Sequence, residues 1–309
     1  MRFAAGIVTL VLMACAAAET PAAPEATPVE AAAPAPAPTP AAPAEPAARA
    51  AFACEGALTQ GGIALCRTAP GAEIFIEGEA AGQADENGWA VIGFTRESPA
   101  SLRVEARHEG RTDEITLAIG DREFDVQRID GLPQQTVTPT EPEVLARIQR
   151  EAALKNAAFA SLAPAQGFLD RFILPVDGVV TGRWGNQRIL NGVPSTPHFG
   201  YDIAAPEGTP IVAPAGGVVV LAEPDMHYEG GLVFIDHGQG LISMYLHMSR
   251  VDVRVGDTVA QGQTLGAVGA RGRATGPHLC WRLRWRGRQL DPSIAGGALA
   301  HASNVLGAP

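Results

Sequence analysis

The stretch TGPHLCWRLRW, residues 275–285, decides the first piece of the fold. Side chains of a β-strand alternate between two faces. Leu279, Trp281, Leu283 and Trp285 therefore share an apolar face, and His278, Cys280, Arg282 and Arg284 share the other. A helix would scatter both sets, and the preceding Gly276-Pro277 suits the start of a strand. On the polar face an imidazole and a thiol stand about 6 to 7 Å apart along the chain, close enough to reach one cleft. The bland alternative is a half-exposed strand whose His and Cys are incidental.

Two stretches upstream carry more of the same chemistry. PHFGYDIAAPEGTPIVAPAGGVVV places His198 and Asp202 four residues apart. On a straight strand they would sit about 13 Å apart, too far for one ion with bonds of about 2.0 to 2.3 Å. Gly200 between them permits the bend that brings both side chains together. GGLVFIDHGQGLISMYLH reads as a hairpin, followed by strands cut at Gly256-Asp257 and Gly262-Gln263. His247 closes the second strand of that hairpin, and His237 lies in its Asp-His-Gly turn, where it fixes the turn.

The first fifteen residues, MRFAAGIVTLVLMAC, join one Arg to an apolar run too short for a stable membrane anchor, the form of a secretory signal within residues 1–18. Leu12-Met13-Ala14-Cys15 resembles a bacterial lipobox, which would make Cys15 a lipid-bearing N-terminus; cleavage after Ala16-Ala17-Ala18 is the alternative. Either route places the protein outside the cytoplasm, in the periplasm or cell envelope. Residues 19–50 are almost wholly Ala and Pro, a linker able to reach on the order of 100 Å as polyproline II.

Residues 51–131 contain strand-like segments (AEIFIEG, GWAVIGF, SLRVEARH, DEITLAI, EFDVQRI) separated by Gly-containing turns, the pattern of a small antiparallel β-domain. Cys54 and Cys66 flank ALTQGGIAL, and in an oxidising compartment they are expected to form a disulfide. Thr140-Glu-Pro-Glu143 has the form of a capping box and opens a helix over about 140–165. Its Val144, Leu145, Ile148, Ala152, Phe159 and Leu162 recur near helical spacing. The chain carries a net charge of −10, yet residues 170–309 hold eleven Arg against eleven acidic residues. Without a basic excess, a nucleic-acid partner is excluded in favour of an anionic polymer outside the cell.

His198-x-x-x-Asp202, Tyr245-x-His247, VGDTVAQGQTLGAVG (255–269), Gly276-Pro277-His278-Leu279 and the closing Leu290-Asp291-Pro292 together resemble the lysostaphin-type, LytM-like zinc metallopeptidases that cut bacterial cell-wall peptides. The resemblance covers about 176–292. It implies a mainly β fold whose C-terminal antiparallel sheet, within about 170–300, frames a groove with Zn2+ on its floor. By the same resemblance His198 and Asp202 would be metal ligands, and His247 and His278 the histidines that act on the attacking water and the oxyanion. The family's third ligand is the second His of a His-x-His pair, and here Cys280 holds that place. Thiolate is a competent zinc ligand. The implied function is a zinc metalloendopeptidase acting on peptidoglycan peptides; the alternative is an impaired LytM-like domain that binds the wall or activates other hydrolases.

Overall fold

The computed structural model describes residues 52–132 and 134–308. The expected signal segment, Cys15 and the whole Ala/Pro linker lie outside the described residues. Those described fall within one compact unit. No described helix is long and apolar enough to cross a membrane.

The chain is mainly β. Its first half holds β1 (Ala53–Gly56), β2 (Ile63–Arg67), β3 (Glu73–Ile76), β4 (Glu79–Gln83), β5 (Trp89–Gly93), β6 (Ser101–His108), β7 (Arg111–Ala118) and β8 (Val126–Ile129). Helices α1 (Gln134–Val137) and α2 (Pro142–Phe159) follow. The second half runs through β9 (Val179–Gly182), β10 (Gln187–Leu190), β11 (Val193–Pro194), β12 (Tyr201–Ala204), β13 (Pro210–Val212), β14 (Gly217–Met226) and β15 (Gly230–Asp236). It closes with β16 (Leu241–Met248), β17 (Arg250–Val251), β18 (Thr258–Val259), β19 (Thr264–Ala267), β20 (His278–Trp285), β21 (Arg288–Leu290) and helix α3 (Pro292–Leu306).

An eight-stranded antiparallel sheet dominates, ordered β18-β14-β15-β16-β20-β12-β9 with β21 against β20. Strand β20, the stretch read first, lies at its centre, between β16 and β12. Leu279, Trp281, Leu283 and Trp285 of its apolar face are 2% exposed or less. They join one continuous core with Ile63, Leu65, Trp89 and Ile92 of the first half. The opposite face is covered as well. Leu232, Phe234, Met244, Leu246 and Cys280 form a second core cluster with Ala158 of α2. Phe159 stacks on Phe234 with ring centroids 4.9 Å apart, and the Arg284 guanidinium lies 3.9 Å above the Phe159 ring. The thiol is thus 1% exposed on a face that alternation alone would leave open to solvent.

The capping box expected at Thr140 does not form. The N-cap is Glu141, without a side-chain cap bond, because Pro142 sets the first helical turn and holds the residue before it in an extended conformation. Helix α2 also stops at Phe159, short of Pro164. Leu145 and Leu162 of the expected apolar face are 41% and 59% exposed. Strand β8, from the segment EFDVQRI, pairs parallel with β10 of the second half instead of joining the antiparallel first-half sheets.

Helix α3 is a feature that the sequence pattern leaves unmarked. Asp291 caps it, accepting from Ser293 N at 2.9 Å and Ser293 Oγ at 2.6 Å. The other oxygen of Asp291 accepts from Arg122 Nη2 at 2.9 Å, tying the end of the second half to the first. Ala295, Ala298, Leu299 and Ala302 are its buried stripe.

Cys54 and Cys66 face each other across β1 and β2 and are joined as a disulfide. Alkylation of the oxidised chain, denatured without reductant, should leave both unlabelled. In the chain-entropy picture, opening this loop by Cys54→Ser costs up to about 3 kcal/mol, read as a lowered denaturation midpoint.

Candidate metal centre

Three of the expected residues converge. Strands β12 and β20 pair with Asp202 opposite Cys280, so both side chains emerge at the same level of the sheet. His198 lies in the loop leading into β12. Its N–H donates to Asn186 O at 2.8 Å, and its carbonyl accepts from Gly185 N at 2.7 Å. Trp184, 1% exposed, anchors that loop between Phe124 and Phe199. The result places one nitrogen, one oxygen and one sulfur, from His198, Asp202 and Cys280, all within 4.8 Å of one another.

Two glycines make room for this. A Cβ on Gly200 would lie 2.5 Å from Cys280 Sγ and 2.9 Å from His198 Nε2, and one on Gly182 would lie 2.4 Å from Asp202 Oδ2. Gly200 therefore supplies space as well as the bend. Gly200→Ala should weaken metal uptake roughly 10- to 100-fold, the scale of a disturbed ligand shell, and lower the melting transition as the crowded Cys280 and His198 side chains give way. Equilibrium dialysis against zinc checks this.

The three atoms form a set of acceptors. His198 Nδ1 lies 3.3 Å from Arg183 O; with the ring proton on Nδ1, Nε2 offers its lone pair. That Nε2 faces Asp202 Oδ1 at 3.2 Å and Cys280 Sγ at 3.5 Å. Asp202 Oδ1 is buried without a hydrogen bond. A buried oxygen, an imidazole lone pair and a sulfur turned toward one another are the donor set that a zinc-like cation takes. The residues present fit the group.

Charge in the site is strongly biased. Burial favours a neutral Asp202, but the adjacent His198 ring and the Arg188 guanidinium outweigh it and hold the carboxyl far below the usual carboxylate range. Burial also lowers His198, against the pull of Asp202, and keeps it neutral. The Cys280 thiol is pushed up to about 12, by burial and then by the Asp202 charge, with Arg282 opposing.

His247 and His278 line a cleft of about 250 Å³ together with Asp202. Their rings are 4.7 Å apart, centroid to centroid. His247 Nδ1 is bonded to Arg271 O at 2.8 Å and His278 Nδ1 to Gly276 O at 2.9 Å, so each ring keeps Nε2 as its acceptor. His247 takes a φ of 68°, a left-handed backbone rare outside glycine and enriched at functional sites. Its N–H, donated to Glu229 O at 2.7 Å, holds it there. Burial and the neighbouring His278 lower His247 to about 3. His237, by contrast, is away from the cleft. It bonds Gly216 O and Ser243 Oγ, each at 2.7 Å, in the turn before β16.

Residues 196–292 match peptidase family M23. A crystal structure of an M23 peptidase from Pseudomonas aeruginosa is 34% identical, with a TM-score of 0.60, and the alignment covers 78% of this chain and 96% of that one. The chain belongs to peptidase family M23. Among curated relatives, the peptidoglycan DD-endopeptidase ShyA of Vibrio cholerae is 43% identical over 95 residues, 31% of this chain and 22% of the relative. The cell division protein DipM of Caulobacter vibrioides is 33% identical over 101 residues, 31% of this chain and 17% of the relative. The chain thus spans only about a fifth of the length of the curated relatives it matches. Arg188, Gly182 and Gln127, which the sequence reading did not single out, lie before the matched segment.

Proposed function

We propose that this M23 protein is a zinc-dependent endopeptidase that hydrolyses peptide bonds in bacterial peptidoglycan. The observation that carries the reading is the convergence of His198, Asp202 and Cys280 within 4.8 Å beside a cleft lined by His247 and His278. His198, Asp202 and Cys280 would hold the ion, which when bound supplies Lewis acidity toward the scissile carbonyl and its attacking water. The rest is done by the chain's own side chains. Nε2 of His247 or His278 takes the proton from the attacking water. That ring, now protonated, donates to the developing oxyanion and returns the proton to the leaving amine, while the partner ring orients the water by accepting its other hydrogen at Nε2. The Nδ1 bonds to Arg271 O and Gly276 O hold both rings in the tautomer this requires.

A second reading, an M23 domain that binds the wall or activates other hydrolases without cutting, is favoured by one observation, Cys280 at the place of a ligand His, with a buried thiol pushed up to about 12 that zinc must deprotonate to bind. A thiol that keeps its proton would not hold zinc. Metal analysis of the purified chain separates the two: about one zinc per chain supports the enzyme, and none after dialysis against zinc supports the binding module. Export to the periplasm or cell envelope, with Cys15 as a lipid anchor, belongs to the same proposal and rests on the first fifteen residues.

A further inference from the structure

The carboxylate and the thiol of the centre are each backed by an arginine. Arg188 Nη2 donates to Asp202 Oδ2 at 2.6 Å, and Arg282 Nε reaches Cys280 Sγ at 3.5 Å. His198 has the Arg183 carbonyl behind it instead. Arg188 is itself braced. Gln127 of β8 accepts from Arg188 Nε through Oε1 at 3.2 Å and donates through Nε2 to Thr181 O at 3.4 Å. The parallel pairing of β8 with β10 sets Gln127 beside Arg188 in register. A strand from before the matched segment thereby reaches the outer layer of the centre.

We infer that Arg188 and Arg282 are positioning residues of the metal centre, each orienting one anionic ligand, with Gln127 bracing Arg188. The inference rests on the zinc reading above. A carboxylate and a thiolate around a dication, with one neutral imidazole, leave no net charge, and two guanidinia behind them return a positive potential to the buried site. Arg188 also occupies Oδ2 of Asp202, which leaves Oδ1 as the oxygen turned toward His198 and Cys280. Partners of this kind fix ligand orientation, and their removal commonly costs 10- to 100-fold in affinity, to order of magnitude.

The test uses the full chain carrying Arg188→Met, Arg188→Lys, Arg282→Met, Gln127→Ala and the Arg188→Met/Gln127→Ala pair. Zinc affinity is read by competition with a chromophoric chelator, and ligand geometry by the absorption of the Co2+-loaded protein, including its sulfur-to-cobalt band. Melting of the metal-free variants reports the fold. Arg188→Met and Arg282→Met should each lose about 10- to 100-fold in zinc affinity, and Arg282→Met should shift the sulfur-to-cobalt band. Arg188→Lys should recover part of the loss, since it keeps a donor for Asp202 Oδ2 without the fork. Gln127→Ala should lose less than Arg188→Met and add nothing in its background, because it acts through that side chain. Unchanged affinity and spectrum in both methionine variants would overturn the inference, as would a Gln127→Ala effect of equal size with Arg188 absent. Should a methionine variant fail to melt cooperatively, Arg188→Lys and Gln127→Ala decide by the same comparison. An unsubstituted chain that takes up neither zinc nor cobalt overturns the zinc reading itself, and this inference with it.

Discussion

Zinc and turnover are expected to disappear together when His198 or Asp202 is replaced by Ala, and to separate when His247 or His278 is. The first two would supply ligand atoms at the point of convergence, so their loss leaves too few donors to retain the ion. The latter two line the cleft through rings held at Nδ1 by backbone carbonyls. Their work is proton transfer and oxyanion support, which does not hold a metal. Turnover in His247→Ala or His278→Ala should fall by roughly 10²- to 10⁴-fold, the usual weight of general acid–base help. Zinc content should stay near that of the parent. Asp202→Ala also strips Arg188 of its buried partner, so Asp202→Asn, which keeps the shape, accompanies it. Zinc content measured on all the variants, beside cleavage rate, decides; equal zinc loss at the four positions would mean that these roles are wrongly divided.

The second large effect is at Cys280. Its thiol, pushed up to about 12 in the metal-free protein, is protonated at pH 7. Asp202 is already ionised and His198 already neutral there, by the directions in which their surroundings move them. Binding of zinc at pH 7 should therefore release about one proton, from sulfur. The sign follows from competition: the proton and the metal contend for the same atom, so zinc affinity falls about tenfold for each unit that the pH drops. In Cys280→His the release should shrink toward zero and the affinity should flatten with pH. A more positive centre also acidifies its water more, so the rising limb of the His variant's pH–rate profile should move to lower pH. Cys280→Ser should bind zinc more weakly than either. Calorimetry in buffers of different ionisation enthalpy counts the proton. A parent that binds zinc with no proton released does not use a thiol as its ligand.

How far these residues were legible from the sequence follows from how local their signals are. The alternation in residues 278–285 locates β20 and its apolar face, because period two is written directly in the side chains. Gly200 between His198 and Asp202 marks the bend. Burial of Cys280 was not legible, since α2 covers that face of the sheet from more than a hundred residues upstream. Arg188 and Gln127 were not legible either. They meet only through parallel pairing between strands about 60 residues apart, and neither stretch carries a motif. Helix α3 was hidden by its composition: its buried stripe is mostly alanine, which leaves too little apolar contrast to reveal a period. The Thr140 box failed for a local reason, the proline two residues on.

Digestion of purified peptidoglycan by the full chain, with products read by mass spectrometry, decides whether the chain is a zinc endopeptidase. The zinc-loaded chain should release fragments in which a peptide bond has gained one water. A chelator should stop the release, added zinc should restore it, and His278→Ala should slow it roughly 10²- to 10⁴-fold with its zinc still bound. Intact peptidoglycan after incubation with a chain shown to carry zinc would mean that the chain is not a peptidoglycan endopeptidase.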